Sequence, residues 1–266
     1  MKGWAAAVAL VVVAVASGLG LWATWDSTRT VATDLGPAGD DLVTTTTSGV
    51  LGASATTTVP PAPPCTPGDA PVDGDPDTGW DRLVIDAGHG LPAAYVPPDL
   101  VSVSDAGFAA RDRIRALVVD DLAALRAAAE ASGTPMVIVS AYRSYGYQQQ
   151  LFDAEAAEVG EQQAALTVAR PGHSEHQLGT AVDVLDAGSG ELTTDFAATP
   201  LGQWLGAHAH EFGFVISYPA GADAKTCHEY EPWHLRYVGR DVARQINASG
   251  VTAREWLLGT RAGATG

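Results

Sequence analysis

The passage Arg170-Pro-Gly-His-Ser-Glu-His-Gln-Leu-Gly-Thr-Ala-Val-Asp183 crowds imidazoles and carboxylates into what reads as a turn followed by a strand. A second stretch, Glu231-Pro-Trp-His-Leu-Arg-Tyr237, adds another carboxylate and another imidazole. Two histidines and an aspartate form a donor set for zinc, which in catalytic sites takes three protein ligands and keeps a fourth position open. A turn at Leu178-Gly179 would fold His176 back over a strand carrying Asp183, on which Ala181, Asp183 and Leu185 share one face and Val182 and Val184 the other. His234 is the expected third ligand. Glu231, three residues before it, is placed to act as the general base of a metal-assisted hydrolysis. Amide hydrolysis needs a polarised carbonyl, a deprotonated water and a protonated leaving amine, and zinc with one glutamate can supply all three.

Each residue also has a plainer reading. A lone histidine in a loop is usually solvated or bonded to a carbonyl; Glu231 alone could be a surface carboxylate and Asp183 a cap. His173 competes with His176 as the first ligand, or lines the cleft. His89, His208 and His210 read as structural, and His228 is left open. The joint pattern is more specific than its parts.

The run His-Ser-Glu-His-Gln-Leu-Gly-Thr-Ala-Val-Asp followed by Glu-Pro-Trp-His resembles the Ser-x-His-x-x-Gly-x-Ala-x-Asp and Glu-x-x-His motifs of the VanY-type D-alanyl-D-alanine carboxypeptidases. These belong to a larger group of zinc peptidases that includes lysostaphin and the hedgehog fold. The resemblance runs from about Leu91 to Tyr237 and takes in Tyr95-Val-Pro-Pro-Asp-Leu100 and Ser140-Ala-Tyr-Arg-Ser-Tyr145. It implies zinc on His176, Asp183 and His234, with Glu231 as base and Arg143 facing the substrate carbonyl. It also implies Ser174 and Gln148 in the substrate pocket. The activity implied is removal of the terminal D-Ala from peptidoglycan stem peptides. An L,D-carboxypeptidase or a peptidoglycan endopeptidase is the nearest alternative, and a wall-binding module with structural zinc a more distant one.

The elements that must position these groups follow from periodicity. Residues 105–131 carry Phe108, Ile114, Leu117, Val118, Leu122 and Leu125 at three- and four-residue steps, which predicts one long helix. Leu83-Val-Ile85 reads as a short strand. Met136-Val-Ile-Val139 reads as a central strand that delivers Arg143 to a cleft among Tyr142, Tyr145 and Tyr147. Residues 146–159 and 161–169 look helical, and Thr199-Pro200 opens another helix, proline being tolerated in a first turn. Strands follow at 214–216 and 233–238, then helices at 239–248 and 252–258. Trp233 is expected to support the metal from beneath. This order argues α+β, with a small, mostly antiparallel sheet and flanking helices.

The 266 residues allow one domain with appendages. Residues 4–25, from Trp4 to Trp25, carry no charge, with Lys2 before and Asp26 after. That is about the ~20 apolar residues that cross a bilayer, so residues 1–25 are expected to anchor the chain, a cleaved signal segment being the alternative. Residues 26–79, rich in Thr, Pro, Ala, Gly and Asp, read as a disordered linker, and 80–266 as the zinc domain. The expected location is the outer face of a bacterial membrane, or secretion if the segment is cleaved. In an exported chain Cys65 and Cys227 are expected to pair. The net charge of −16, without basic clusters, argues against nucleic acid. The expected partners are a stem peptide and, through the N-terminal segment, the bilayer; the domain is expected to be monomeric.

Overall fold

Two neighbouring strands in a small sheet carry two of the groups singled out above, Asp183 and His234, and the remaining elements hold that pair in place. The structure, a computed structural model, describes residues 64–264 apart from Ser189. The expected anchor at 1–25 and the greater part of the linker lie outside the described residues.

In chain order, β1 (Ala70–Pro71) pairs in parallel with β2 (His89–Gly90), and β3 (Leu100–Ser102) pairs antiparallel with β4 (Arg113–Arg115). Helix α1 (Val119–Ala131) leads to β5 (Met136–Ser140), then α2 (Tyr145–Val159) and α3 (Glu161–Thr167). After the pocket turn come β6 (Ala181–Asp186), α4 (Pro200–His208), β7 (Phe214–Ile216) and the single turn α5 (Asp223–Thr226). The chain closes with β8 (His234–Tyr237), α6 (Arg240–Ser249) and α7 (Ala253–Ala264). The main sheet has the order β5-β6-β8-β7, antiparallel throughout. The α+β architecture read from the sequence is thus the one observed.

The core between this sheet and α1 and α4 contains Leu122, Leu125, Ile138, Val182, Val184, Leu201, Leu205, Phe214 and Leu235. A second cluster joins Val84, Val215 and Val238 to α6 and α7 through Val242, Ile246, Trp256 and Leu257. Local chemistry sets several boundaries. Ser144 caps α2 by accepting from Tyr147 N, and Thr199 caps α4 by accepting from Gly202 N, with Pro200 in the first turn.

Three readings of the sequence are corrected. The long helix over 105–131 is only its second half: Ser102 caps a short 3-10 turn at Val103–Ala106, Gly107 ends it at φ 86°, and Ile114 enters β4. Phe108 and Ile114 are buried as expected, but from a hairpin and its loop, because the intervening glycine and Ser102 cap favour a turn over helix propagation. Leu83–Ile85 is buried but belongs to no strand; the Leu83 carbonyl is taken by Arg236 Nη2 at 2.6 Å instead of by a ladder. And β5 is an edge strand, not a central one, with Val137 and Val139 exposed by 38% and 43%.

The chain also joins the domain earlier than composition suggests. Residues 65–79 are tied down by the Cys65–Cys227 disulfide, by the β1–β2 pair and by Val72, which packs on Leu83, Ile85, Leu91 and Leu178. The cysteine pairing is as expected, and Cys227 takes a left-handed conformation at φ 67°.

Candidate metal centre

The two central strands bring two of the three candidate ligands together by register alone. Asp183 on β6 lies directly opposite His234 on β8, and cross-strand neighbours on one face approach within side-chain contact. His176 arrives from the short 3-10 turn Glu175–Leu178, which ends at Gly179 with φ 75°. A Cβ at Gly179 would stand 2.9 Å from Arg115 Cγ and 3.1 Å from Pro97 Cγ, so the close return of the chain over β6 needs this glycine.

His176 Nδ1 lies 2.6 Å from the Ala141 carbonyl, which can only accept, so Nδ1 carries the proton and Nε2 presents its lone pair. That Nε2 is buried without a hydrogen-bond partner, 3.2 Å from Asp183 Oδ2. His234 Nδ1 stands 3.0 Å from Asp183 Oδ1. The three ligand atoms lie within 4.8 Å of one another, all on buried residues. A lone pair left unpartnered in the interior, facing a carboxylate and a second imidazole, fits a borderline cation with N and O donors, as zinc is.

Behind His234 lies a group that sequence reasoning passed over. Glu175, fully enclosed, places Oε2 2.9 Å from His234 Nε2 and accepts from Ser217 Oγ at 2.6 Å, while Oε1 accepts from Arg236 Nη1 at 2.8 Å. Burial works against ionisation of Glu175, but Arg236 and His234 overcome it and pull the carboxyl to about 2. Burial also opposes charge on His234, yet Asp183 and Glu175 push the ring up to about 10; between two carboxylates it holds a proton that a cation would replace. His176 is pushed down to about 4 by burial and by Arg143.

Two further groups border the ligands. Glu231 Oε2 lies 3.8 Å from His234 Nδ1, its backbone fixed by Glu231 N to the Tyr218 carbonyl and by His234 N to its own carbonyl. Burial, followed by the Asp183 and Glu175 charges against His234 and Arg143, raises its carboxyl to about 8; a bound cation acts the other way. Arg143 Nη2 lies 3.9 Å from Asp183 Oδ2, its backbone N bonded to the His176 carbonyl and its Nε buried without a partner.

Of the other residues named from sequence, Ser174 is buried beside His176 and its hydroxyl makes no hydrogen bond to a described residue. Gln148 is buried with Nε2 donating to the Ala169 carbonyl at 2.7 Å; only Oε1 is without a partner. His173 does not join the ligands: Nδ1 donates to the Asp86 carbonyl at 2.7 Å. His228 stacks on Tyr218, which in turn packs on His234. Trp233 packs against the main core.

A four-stranded antiparallel sheet with a buried His-Asp-His set, a carboxylate and an arginine beside it has the make-up of a metal-dependent hydrolase. Comparison with known proteins narrows this. The family model VanY, described as D-alanyl-D-alanine carboxypeptidase, matches residues 111–240. The putative carboxypeptidase YodJ of Bacillus subtilis is 38% identical over 180 residues, 65% of this chain and 66% of its own length. A D-alanyl-D-alanine carboxypeptidase of Enterococcus faecalis is 31% identical over 187 residues, 67% of this chain and 66% of its own. The match therefore spans about two thirds of the length of these curated relatives.

Among solved structures, the LdcB LD-carboxypeptidase superposes with a TM-score of 0.62 at 37% identity, over 66% of this chain and 85% of that one. VanYB in complex with D-alanine-D-alanine gives 0.58 at 31%, over 67% and 98%. A VanY D,D-pentapeptidase in complex with Zn(II) gives 0.58 at 31%, over 67% and 99%. This chain belongs to the VanY family of carboxypeptidases.

Proposed function

We propose that this protein is a zinc-dependent D-alanyl-D-alanine carboxypeptidase that removes the terminal D-Ala from peptidoglycan stem peptides, with zinc held by His176 Nε2, Asp183 and His234 Nδ1. The observation that carries it is the presence of both Glu231 and Arg143 next to a buried two-His, one-Asp donor set. When bound, zinc polarises the scissile carbonyl and makes a water easier to deprotonate. Glu231 takes the proton from the attacking water and delivers it to the departing amine, a role suited to a carboxyl shielded from solvent yet close to the ligands. Arg143 donates to the carbonyl oxygen as negative charge develops on it, its Nε buried without a hydrogen-bond partner and its Nη2 3.9 Å from Asp183. Ser174, with an uncommitted hydroxyl, and Gln148, through Oε1, hold polar groups of the peptide. A wall-binding module has no use for Glu231 beside an open coordination position.

A second reading has one observation in its favour. The LdcB structure, an LD-carboxypeptidase, is more identical to this chain than the VanYB complex, at 37% against 31%. The motifs fix the chemistry and leave the choice of terminal linkage to the pocket walls. Incubating the protein with purified pentapeptide and tetrapeptide stems, with and without chelator, and weighing the products decides the matter. Loss of one alanine from the pentapeptide alone, blocked by chelator, is the result expected. Loss from the tetrapeptide would move the assignment to the L,D class, and no cleavage by zinc-loaded protein would return it to an endopeptidase or a binding module.

The placement is part of the same proposal: residues 1–25 anchor or export the chain, the linker spaces the domain from the bilayer, and a monomer works on stem peptides in the wall. No helix among the described residues is long and apolar enough to cross a membrane.

A further inference from the structure

Glu175 stands in the first motif between two residues with assigned roles, and nothing in the reaction above uses it. Its surroundings are unusual for a carboxylate. It is fully enclosed, and three side chains from two separate parts of the chain converge on it: Ser217 and His234 on Oε2, Arg236 on Oε1. Arg236 is itself 1% exposed and is held from behind by the carbonyls of Leu83 at 2.6 Å and Trp80 at 3.3 Å. His234 and Arg236 are two apart on β8 and so share a face. The carboxylate therefore cannot shift without breaking an enclosed network, and one of its oxygens is fixed on His234 Nε2.

A carboxylate oxygen accepts and cannot donate, so the hydrogen bond requires the proton to reside on His234 Nε2. Nδ1 is the nitrogen that faces Asp183 at 3.0 Å and Glu231 at 3.8 Å, and its proton is the one that a cation displaces, leaving the Nδ1 lone pair for the metal while Nε2 keeps its proton on Glu175. A histidine ring can bind a metal through either nitrogen, and the partner of the far nitrogen decides which and how strongly. We propose that Glu175, clamped by Arg236 and Ser217, is a positioning residue that fixes the His234 tautomer with Nδ1 toward the cation and strengthens it as a ligand. This rests on the zinc reading given above. The His176 side of the site uses a different device, the neutral Ala141 carbonyl on Nδ1. The two imidazoles thus present opposite nitrogens inward, Nε2 from His176 and Nδ1 from His234, each set by its outer partner.

The test is zinc affinity of the purified metal-free protein, measured by competition with a chromophoric chelator, in wild type, in Glu175→Gln and in the double variant Glu175→Leu/Arg236→Met. The glutamine variant leaves Arg236 buried without its charge partner and can lose stability on that account alone. The double variant removes both charges together, which restores the fold to a comparable footing while still leaving His234 Nε2 without its acceptor. Both variants are expected to bind zinc about 10- to 100-fold more weakly than wild type. The proton on His234 Nε2, slow to exchange and visible by NMR in the zinc-loaded wild type, is expected to exchange rapidly in both. A purely structural Glu175 would instead lower the melting temperature of the single variant, recover in the double variant and leave zinc affinity within about threefold throughout; that result overturns the proposal. Failure of wild type itself to bind zinc would instead remove the metal reading, and this proposal with it.

Discussion

In the reaction proposed above Glu231 and Arg143 have separable roles, because one would handle a proton and the other a charge that exists only in the transition state. Replacing Glu231 by Gln keeps the side chain's volume and hydrogen-bonding reach but removes its capacity to accept a proton. Turnover should fall by about 10²- to 10⁴-fold while zinc content and KM stay near wild type, as metal analysis and steady-state kinetics on the peptide would register. Turnover above about a tenth of wild type would take Glu231 out of the base role. Replacing Arg143 by Ala should lower kcat by about 10²- to 10³-fold with a smaller change in KM, since its donors act mainly on the developing oxyanion; a change in KM alone would make it a substrate-holding group instead. The residues that the structure gathers at the candidate metal centre were legible in the sequence because their chemistry is stated by residue type and short spacing. Glu175 was not, because its meaning depends on Ser217 and Arg236, 42 and 61 residues away, and no local pattern announces a buried clamp. His173 was undecided between ligand and cleft for the same reason: its partner is the backbone carbonyl of Asp86, 87 residues earlier.

At the scale of elements, periodicity was dependable where helices run uninterrupted, as in α2, α4 and α6, and misled where turn chemistry competed with it. The stretch 105–118 carries a helix-like spacing, yet Gly107 and the Ser102 cap break it, and Ile114 satisfies the same burial from a strand. The edge position of β5 could not be read from its apolar run, since edge and centre differ by which strand lies alongside. The disulfide belongs at this scale too, because it joins the start of the domain to Cys227, four residues before Glu231 and the sole described non-glycine at positive φ. Around it, Thr226 Oγ1 donates to the His228 carbonyl and Glu229 N to the Leu166 carbonyl, so the segment leading to the base is pinned at several points. Cys65→Ser with Cys227→Ser is expected to lower stability by about 2–4 kcal/mol, read by urea denaturation. Loss of kcat beyond what unfolding explains would place the effect on Glu231; unchanged kcat in the folded fraction would confine the bridge to stability.

Across the whole molecule, Asp86 ties together three regions far apart in sequence, and its behaviour with pH shows how the site is held from outside. Its Oδ1 accepts from Gly88 N, His89 N and His89 Nδ1, its Oδ2 from Arg254 Nε at 2.7 Å on α7, and its carbonyl from His173 in the pocket turn. Burial works against ionisation here, but the hydrogen bonds from Arg254, His89 and Gly88 overcome it and hold the pKa below the ordinary 3.8. A carboxyl whose folded pKa is depressed contributes stability that is fully present above its unfolded pKa and is lost as pH falls through the folded one. Asp86→Asn should therefore be destabilised at neutral pH by about 1.5–3 kcal/mol, the order of a hydrogen bond to a charged group lost at Arg254 Nε. The gap from wild type should narrow steadily below about pH 4, where wild type begins to lose the same charge. Urea denaturation of both proteins, metal-free, at pH 7 and near pH 3 measures it. A gap of equal size at both values would mean that the shape of the Asp86 side chain, rather than its charge, joins α7 to the pocket turn, and the link from the C-terminal helix to Ser174 and His176 would then be one of packing.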